Sequence, residues 1–95
     1  MNKYELMYII NPTLEEKDIK ENAETLKKVV ESQKGKVLEF KEMGQRELAY
    51  EIKKHKNGYY YLLTFEAKPE VINEINHVAN VNENILRYLV IKVED

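Results

Sequence analysis

Cysteine and tryptophan are absent from these 95 residues, glycine occurs three times and proline twice. Without thiols there is no disulfide framework, no thiolate metal site and no cysteine nucleophile. Glycines at 35, 44 and 58 are too scattered to form a loop that cradles phosphate. No apolar run approaches the roughly 18 residues needed to cross a bilayer; the longest, Leu6 to Ile10 and Leu86 to Ile91, have strand length. The opening Met1-Asn2-Lys3-Tyr4-Glu5 lacks the layout of a signal peptide, which with the missing cysteines points to the cytoplasm. Neither His55 nor His77 has a partner at metal-ligand spacing, and Ser32 lacks a glycine-flanked elbow. Glu15, Glu16 and Asp18 fall in the first turn of an expected helix, where negative charge offsets the dipole. The expectation is therefore no enzyme, no cofactor or metal, no small-molecule substrate and no membrane.

What is present is a composition of 43% apolar and 34% charged residues with a net charge of −2, as in a globular protein. The length suits one domain spanning 1–95. Tyr4 to Ile10 alternates Tyr4, Leu6, Tyr8 and Ile10 with Glu5, Met7 and Ile9, a strand apolar on nearly both faces and so central in a sheet. Asn11-Pro12 ends it, and Thr13 with Glu16 reads as a capping box. Ile19, Ala23, Leu26 and Val30 then mark the buried stripe of a helix, closed by Gly35 as the residue with positive φ. Lys36 to Met43 and Arg46 to Ile52 read as extended, with Gly44 at a bulge between them. His55 to Gly58 supplies turn residues before a strand from Tyr59 to Ala67. Pro69 opens a second helix with an Ile72, Ile75, Val78, Ala79 stripe, and Ile85 to Val93 is the last strand. Right-handed crossovers place both helices on one face of a four-stranded antiparallel sheet whose first and third strands are central. This is the ferredoxin-like βαββαβ α+β sandwich, which by itself assigns no function.

The segment from Lys34 to Lys56 carries seven Lys or Arg against four Glu. Such a local excess on an extended ribbon attracts a phosphate backbone. The RNA recognition motif shares this strand order, and Met7 to Asn11 and Gly58 to Leu62 approach its two signatures. Periodicity opposes that reading: exposing Tyr59 and Tyr61 would push Thr64 and Glu66 beneath the helices, whereas the opposite register buries Tyr61, Leu63 and Phe65. A second class of function also remains open. An uncovered edge strand, or an open face bearing Met7, Ile9, Leu62 and Ile91, would suit a protein partner.

Four motifs in order, Tyr4-Glu5-x-Met7 with Asn11-Pro12, Gly44-x-Arg46-x-Leu48-Ala49-Tyr50 with Ile52-Lys53-Lys54, Gly58-Tyr59-Tyr60 and Leu86-Arg87-Tyr88-Leu89-Val90, span nearly the whole chain. In these the sequence resembles the bacterial small-subunit ribosomal protein six family. It departs from that pattern at Asn2, Glu47 and Glu51, which lowers the local positive charge. The resemblance implies a non-catalytic constituent of the small ribosomal subunit that binds the central domain of 16S ribosomal RNA together with ribosomal protein eighteen. It further implies Lys3, Tyr4, Arg46, Tyr50, Lys53, Lys54, Arg87 and Lys92 as RNA-facing residues, the cations meeting phosphate and the tyrosines stacking or donating to sugar or base.

Overall fold

The alternation of Tyr4, Leu6, Tyr8 and Ile10 leads where it points: all four are buried on one side of strand β1 (Asn2–Ile10), beneath two helices. The computed structural model describes residues 2–93. Its further elements are α1 (Glu16–Ser32), β2 (Lys36–Ile52), β3 (His55–Ala67), α2 (Glu70–Val81) and β4 (Ile85–Val93). The sheet is antiparallel in the order β2-β3-β1-β4, so β1 and β3 are central and the ferredoxin-like arrangement follows. Tyr61, Leu63 and Phe65 of β3 oppose Tyr8, Leu6 and Tyr4 and share their buried face. Thr64 and Glu66 stay on the other face, away from the helices. The register excludes an RNA recognition motif, because the third-strand aromatic Tyr61 lies in the core at 2% exposure.

Local signals were redirected at several points. Thr13 does not cap α1: its N–H and hydroxyl both donate to Asn11 Oδ1, at 2.9 and 2.7 Å, closing a turn after β1. The cap position belongs to Glu15, whose extended backbone (φ −65°, ψ 153°) receives the first bonds from Asp18 and Ile19. A hydroxyl engaged with Asn11 is not available to a helix N–H. At the other end of α1, Lys34 and not Gly35 takes the left-handed conformation (φ 64°). Gly35 instead permits close packing, since a Cβ there would lie 2.7 Å from Val30 Cγ1. In α2 the buried stripe is Val71, Ile75 and Ala79, with Ile72 and Val78 only flanking it, and Pro69 sits one position ahead of the helix. Spacing alone admits either stripe; docking on the sheet selects the one that enters the main core.

The larger correction concerns the β2–β3 hairpin. Chain reversal occurs at Lys53-Lys54, with Ile52 paired to His55, and not at His55 to Gly58. Both lysines have positive φ, 48° and 69°, as a two-residue type I′ turn requires. Asn57-Gly58 remains in the strand because Gly58 lies against Ile9, whose side chain a Cβ at 58 would strike. That packing fixes the register, and the turn moves to wherever the register leaves it. Gly44 (φ 86°) forms the expected bulge, with Met43 unpaired between Glu42 and Gly44. The two extended segments thereby join into one strand.

Candidate nucleic-acid interface

The open face of the sheet carries its own small core at one end. Ile9, Leu48 and Leu86 are buried there, with Ile52 and Tyr60 packed against them. Leu48, Tyr50 and Ile52 recur every second residue on β2, so one side of the hairpin is apolar. Between the pairs Glu47–Asn57 and Ile52–His55, the four residues Leu48 to Glu51 face the single residue Lys56. This mismatch bends the hairpin arm, and its apolar side folds down over Ile9 and Leu86. A groove of about 240 Å³ remains beneath it, lined by Met7, Ile9, Leu48, Tyr50, Tyr60 and Leu89 among others.

Cations surround this apolar patch. Arg46 pairs with Gly58 on the open face and is exposed. Arg87 pairs with Ile9 on the same face, and its Cζ lies 5.7 Å from the centre of the Tyr50 ring. Tyr50 is itself 58% exposed, so the pair presents a flat cationic and aromatic surface to solvent. Lys53 and Lys54 occupy the exposed tip of the turn. Lys53 also shares a second cleft with Ala79, Asn80 and Arg87, where the arm reaches the end of α2 and the start of β4. Arg46, Tyr50, Lys53, Lys54 and Arg87 thus converge on one end of the molecule.

The remaining residues expected to face RNA are elsewhere. Lys3 is on the open face at the far end of β1, opposite Glu66 and Val93. It stands six positions from Ile9, a distance of about 20 Å along a strand. Tyr4 is 6% exposed and faces the helices, its ring 5.6 Å from that of Phe65, while its hydroxyl accepts from Asn2 Nδ2 at 3.3 Å. Lys92 pairs with Tyr4 and shares the helix-side face. Sequence reasoning missed Tyr60, Leu86 and Ile52 as the floor and clasp of the arm. The period-two spacing of Leu48, Tyr50 and Ile52 was the available signal, but it carries no information on which way the arm folds.

Among the described residues no cluster of His, Asp or Glu is arranged to hold a metal ion, and no helix is long and apolar enough to cross a membrane. The family model described as "Ribosomal protein S6" matches residues 3–92. The chain is 46% identical over 94 residues to small ribosomal subunit protein bS6 of Helicobacter acinonychis, covering 99% of this chain and 66% of that protein. Against the protein of the same description from Phytoplasma mali it is 43% identical, covering 99% of this chain and 100% of the other. The chain therefore spans about two thirds of the Helicobacter relative and the full length of the Phytoplasma one. The fold is similar to the crystal structure of 30S ribosomal protein S6 from Thermotoga maritima, with a TM-score of 0.92 and 32% identity, covering 97% of this chain and 87% of that one.

Proposed function

The chain belongs to the ribosomal protein S6 family, and from that premise we infer that it is a structural, non-catalytic constituent of the small ribosomal subunit in the bacterial cytoplasm, organised as one domain over 1–95. It binds the central domain of 16S ribosomal RNA together with ribosomal protein eighteen. The observation carrying this reading is the gathering of Arg46, Lys53, Lys54 and the Arg87–Tyr50 pair at the arm end of a chain whose net charge is −2. An acidic protein does not attract polyanions generally; a concentrated basic end lets it approach RNA in one orientation. The arginines and lysines contact phosphate, and Tyr50 offers its exposed ring face to a splayed base or ribose. Lys3 and Lys92 serve as outlying phosphate contacts, and Tyr4 takes part only through its hydroxyl at the rim.

The protein partner is accommodated on the apolar stretch of the open face, where Met7, Leu89 and Ile91 are 36%, 50% and 50% exposed. A partner covering these residues and adding cations of its own raises the affinity for RNA above that of this chain alone. Titration of 16S central-domain RNA with and without protein eighteen tests both statements. Tight binding only with the partner, weakened by Arg46→Ala and Lys54→Ala, is expected. Failure to bind under both conditions contradicts the reading.

A further inference from the structure

The two free edges of the sheet are built differently. The β2 edge is interrupted by register shifts at Val37/Glu39, Glu42/Gly44 and Glu47/Ile52, and carries exposed Lys36, Glu39 and Lys41. Bulges and charges of this kind block the addition of another strand. The β4 edge carries exposed Arg87 and Lys92 but is free of bulges over most of its length. From Arg87 to Val93 its register with β1 is continuous, the one shift falling between Ile9 and Ile10. Along that run Leu89 and Ile91 are each half exposed on the open face, and outward-pointing N–H and C=O groups await partners.

We propose that the free protein self-associates through β4, a second copy adding antiparallel across a two-fold axis at Val90 to make one continuous eight-stranded sheet. The register follows from the side chains. With Val90 opposite its own copy, Leu89 faces the partner's Ile91 twice over, covering the most exposed apolar residues of the strand by cross-strand contact. Arg87 then faces Val93, and Lys92 faces Tyr88, so the two cations of the strand avoid each other. A shift of one residue would set Arg87 against Lys92 and turn the second copy over, placing its helices on the wrong side. Opposed residues share a face in the Val90 register, so both helix layers stay on one side and both open faces on the other. The arrangement is isologous and closes at two copies. It covers Leu89 and Ile91, the residues also offered to protein eighteen, so the dimer is a state of the free chain that partner binding displaces, and the RNA contacts of the arm take no part in it.

Sedimentation velocity of the full chain, from about 1 µM to about 1 mM, reads the association directly. A monomer–dimer equilibrium within that range is expected. Leu89→Lys and Ile91→Glu should each weaken dimerisation about tenfold, because each change acts at two symmetry-related pairs. The Leu89→Lys, Ile91→Glu double variant should regain most of the loss, since the Val90 register sets the new lysine against the partner's new glutamate. Both positions are half exposed, and an unchanged thermal melt of the monomer verifies folding. A protein that stays monomeric throughout, a dimer indifferent to the single changes, or a double variant without recovery overturns the proposal.

Discussion

Arg87 holds its guanidinium over the Tyr50 ring, 5.7 Å from Cζ to centroid, and so ties the hairpin arm to the opposite edge of the sheet. The contact joins β2 to β4, strands separated in the sheet by both central ones. A cation laid on an exposed ring is worth about 0.5–1 kcal/mol. Tyr50→Ala should therefore leave global stability nearly unchanged yet weaken RNA binding about five- to tenfold, through loss of both the stacking surface and the placement of Arg87. Tyr50→Phe, which keeps the ring, should bind nearly as well as the parent in a filter-binding titration with protein eighteen present.

The turn at Lys53-Lys54 sets two lysines in the left-handed conformation, which costs a residue bearing a Cβ about 1 kcal/mol or more. Replacing the pair by Asn-Gly supplies residues that adopt type I′ geometry readily. The variant should melt several degrees higher, as about 1–2 kcal/mol shifts a domain of this size, and should bind RNA more weakly because two tip charges are gone. Opposite signs for stability and binding would show that the strained lysines are retained for contact.

Tyr8 and Tyr61 stand side by side across β1 and β3, rings 5.8 Å apart and near parallel, but their hydroxyls differ. Tyr8 donates to the Ala23 carbonyl at 2.5 Å, whereas the buried Tyr61 hydroxyl has no partner among the described residues. Tyr8→Phe should lose about 1 kcal/mol and Tyr61→Phe should gain a comparable amount, by the asymmetry between a made and an unmade hydrogen bond. Burial first and the Glu42 carboxylate second push the Tyr61 phenol up to about 12. Burial also raises Tyr8, with the neighbouring phenol and Glu24 adding to the shift. An unfolded tyrosine ionises near 10, so the folded state holds its protons longer. The stability tied to these phenols is complete below pH 10 and falls as pH climbs through 12. Urea unfolding at pH 9 and pH 11 should show that fall, and it should be smaller in Tyr61→Phe.

Leu48 is 8% exposed in the small core beneath the arm. Leu48→Ala should cost about 2 kcal/mol, the lower end for a buried leucine, because the cluster is shallow. Amide exchange should accelerate in residues 46–56 far more than in β1, since the arm loses its contact with Ile9 and Leu86 while the main core does not.

The parts legible in the sequence are those in which local pattern and global packing agree. The inward set of β1, the α1 stripe of Ile19, Ala23, Leu26 and Val30, and the burial of Tyr61, Leu63 and Phe65 all follow from simple periods. Asn57-Gly58 carries the stronger local turn signal, yet the contact of Gly58 with Ile9 outweighs it and sets the reversal at Lys53-Lys54. The division of the candidate site into two ends was hidden for a similar reason. Arg87 and Lys92 belong to the same short strand, but the register places them on opposite faces. Tyr4 reads equally as rim or core until Phe65 is set beside it. The meeting of Tyr50 with Arg87 depends on four residues of β2 facing one of β3, an irregularity no period encodes.

The salt dependence of binding to 16S central-domain RNA, measured with protein eighteen present, tests the central claim most directly. Each phosphate contact contributes about 0.7–0.9 to the log–log slope. Arg46→Ala, Lys54→Ala and Arg87→Ala should each flatten the slope by that amount, while Lys28→Ala on the solvent side of α1 should leave it unaltered. Slopes unchanged in all three arm variants, with affinity also unchanged, would contradict the assignment of the arm end as the RNA-binding surface.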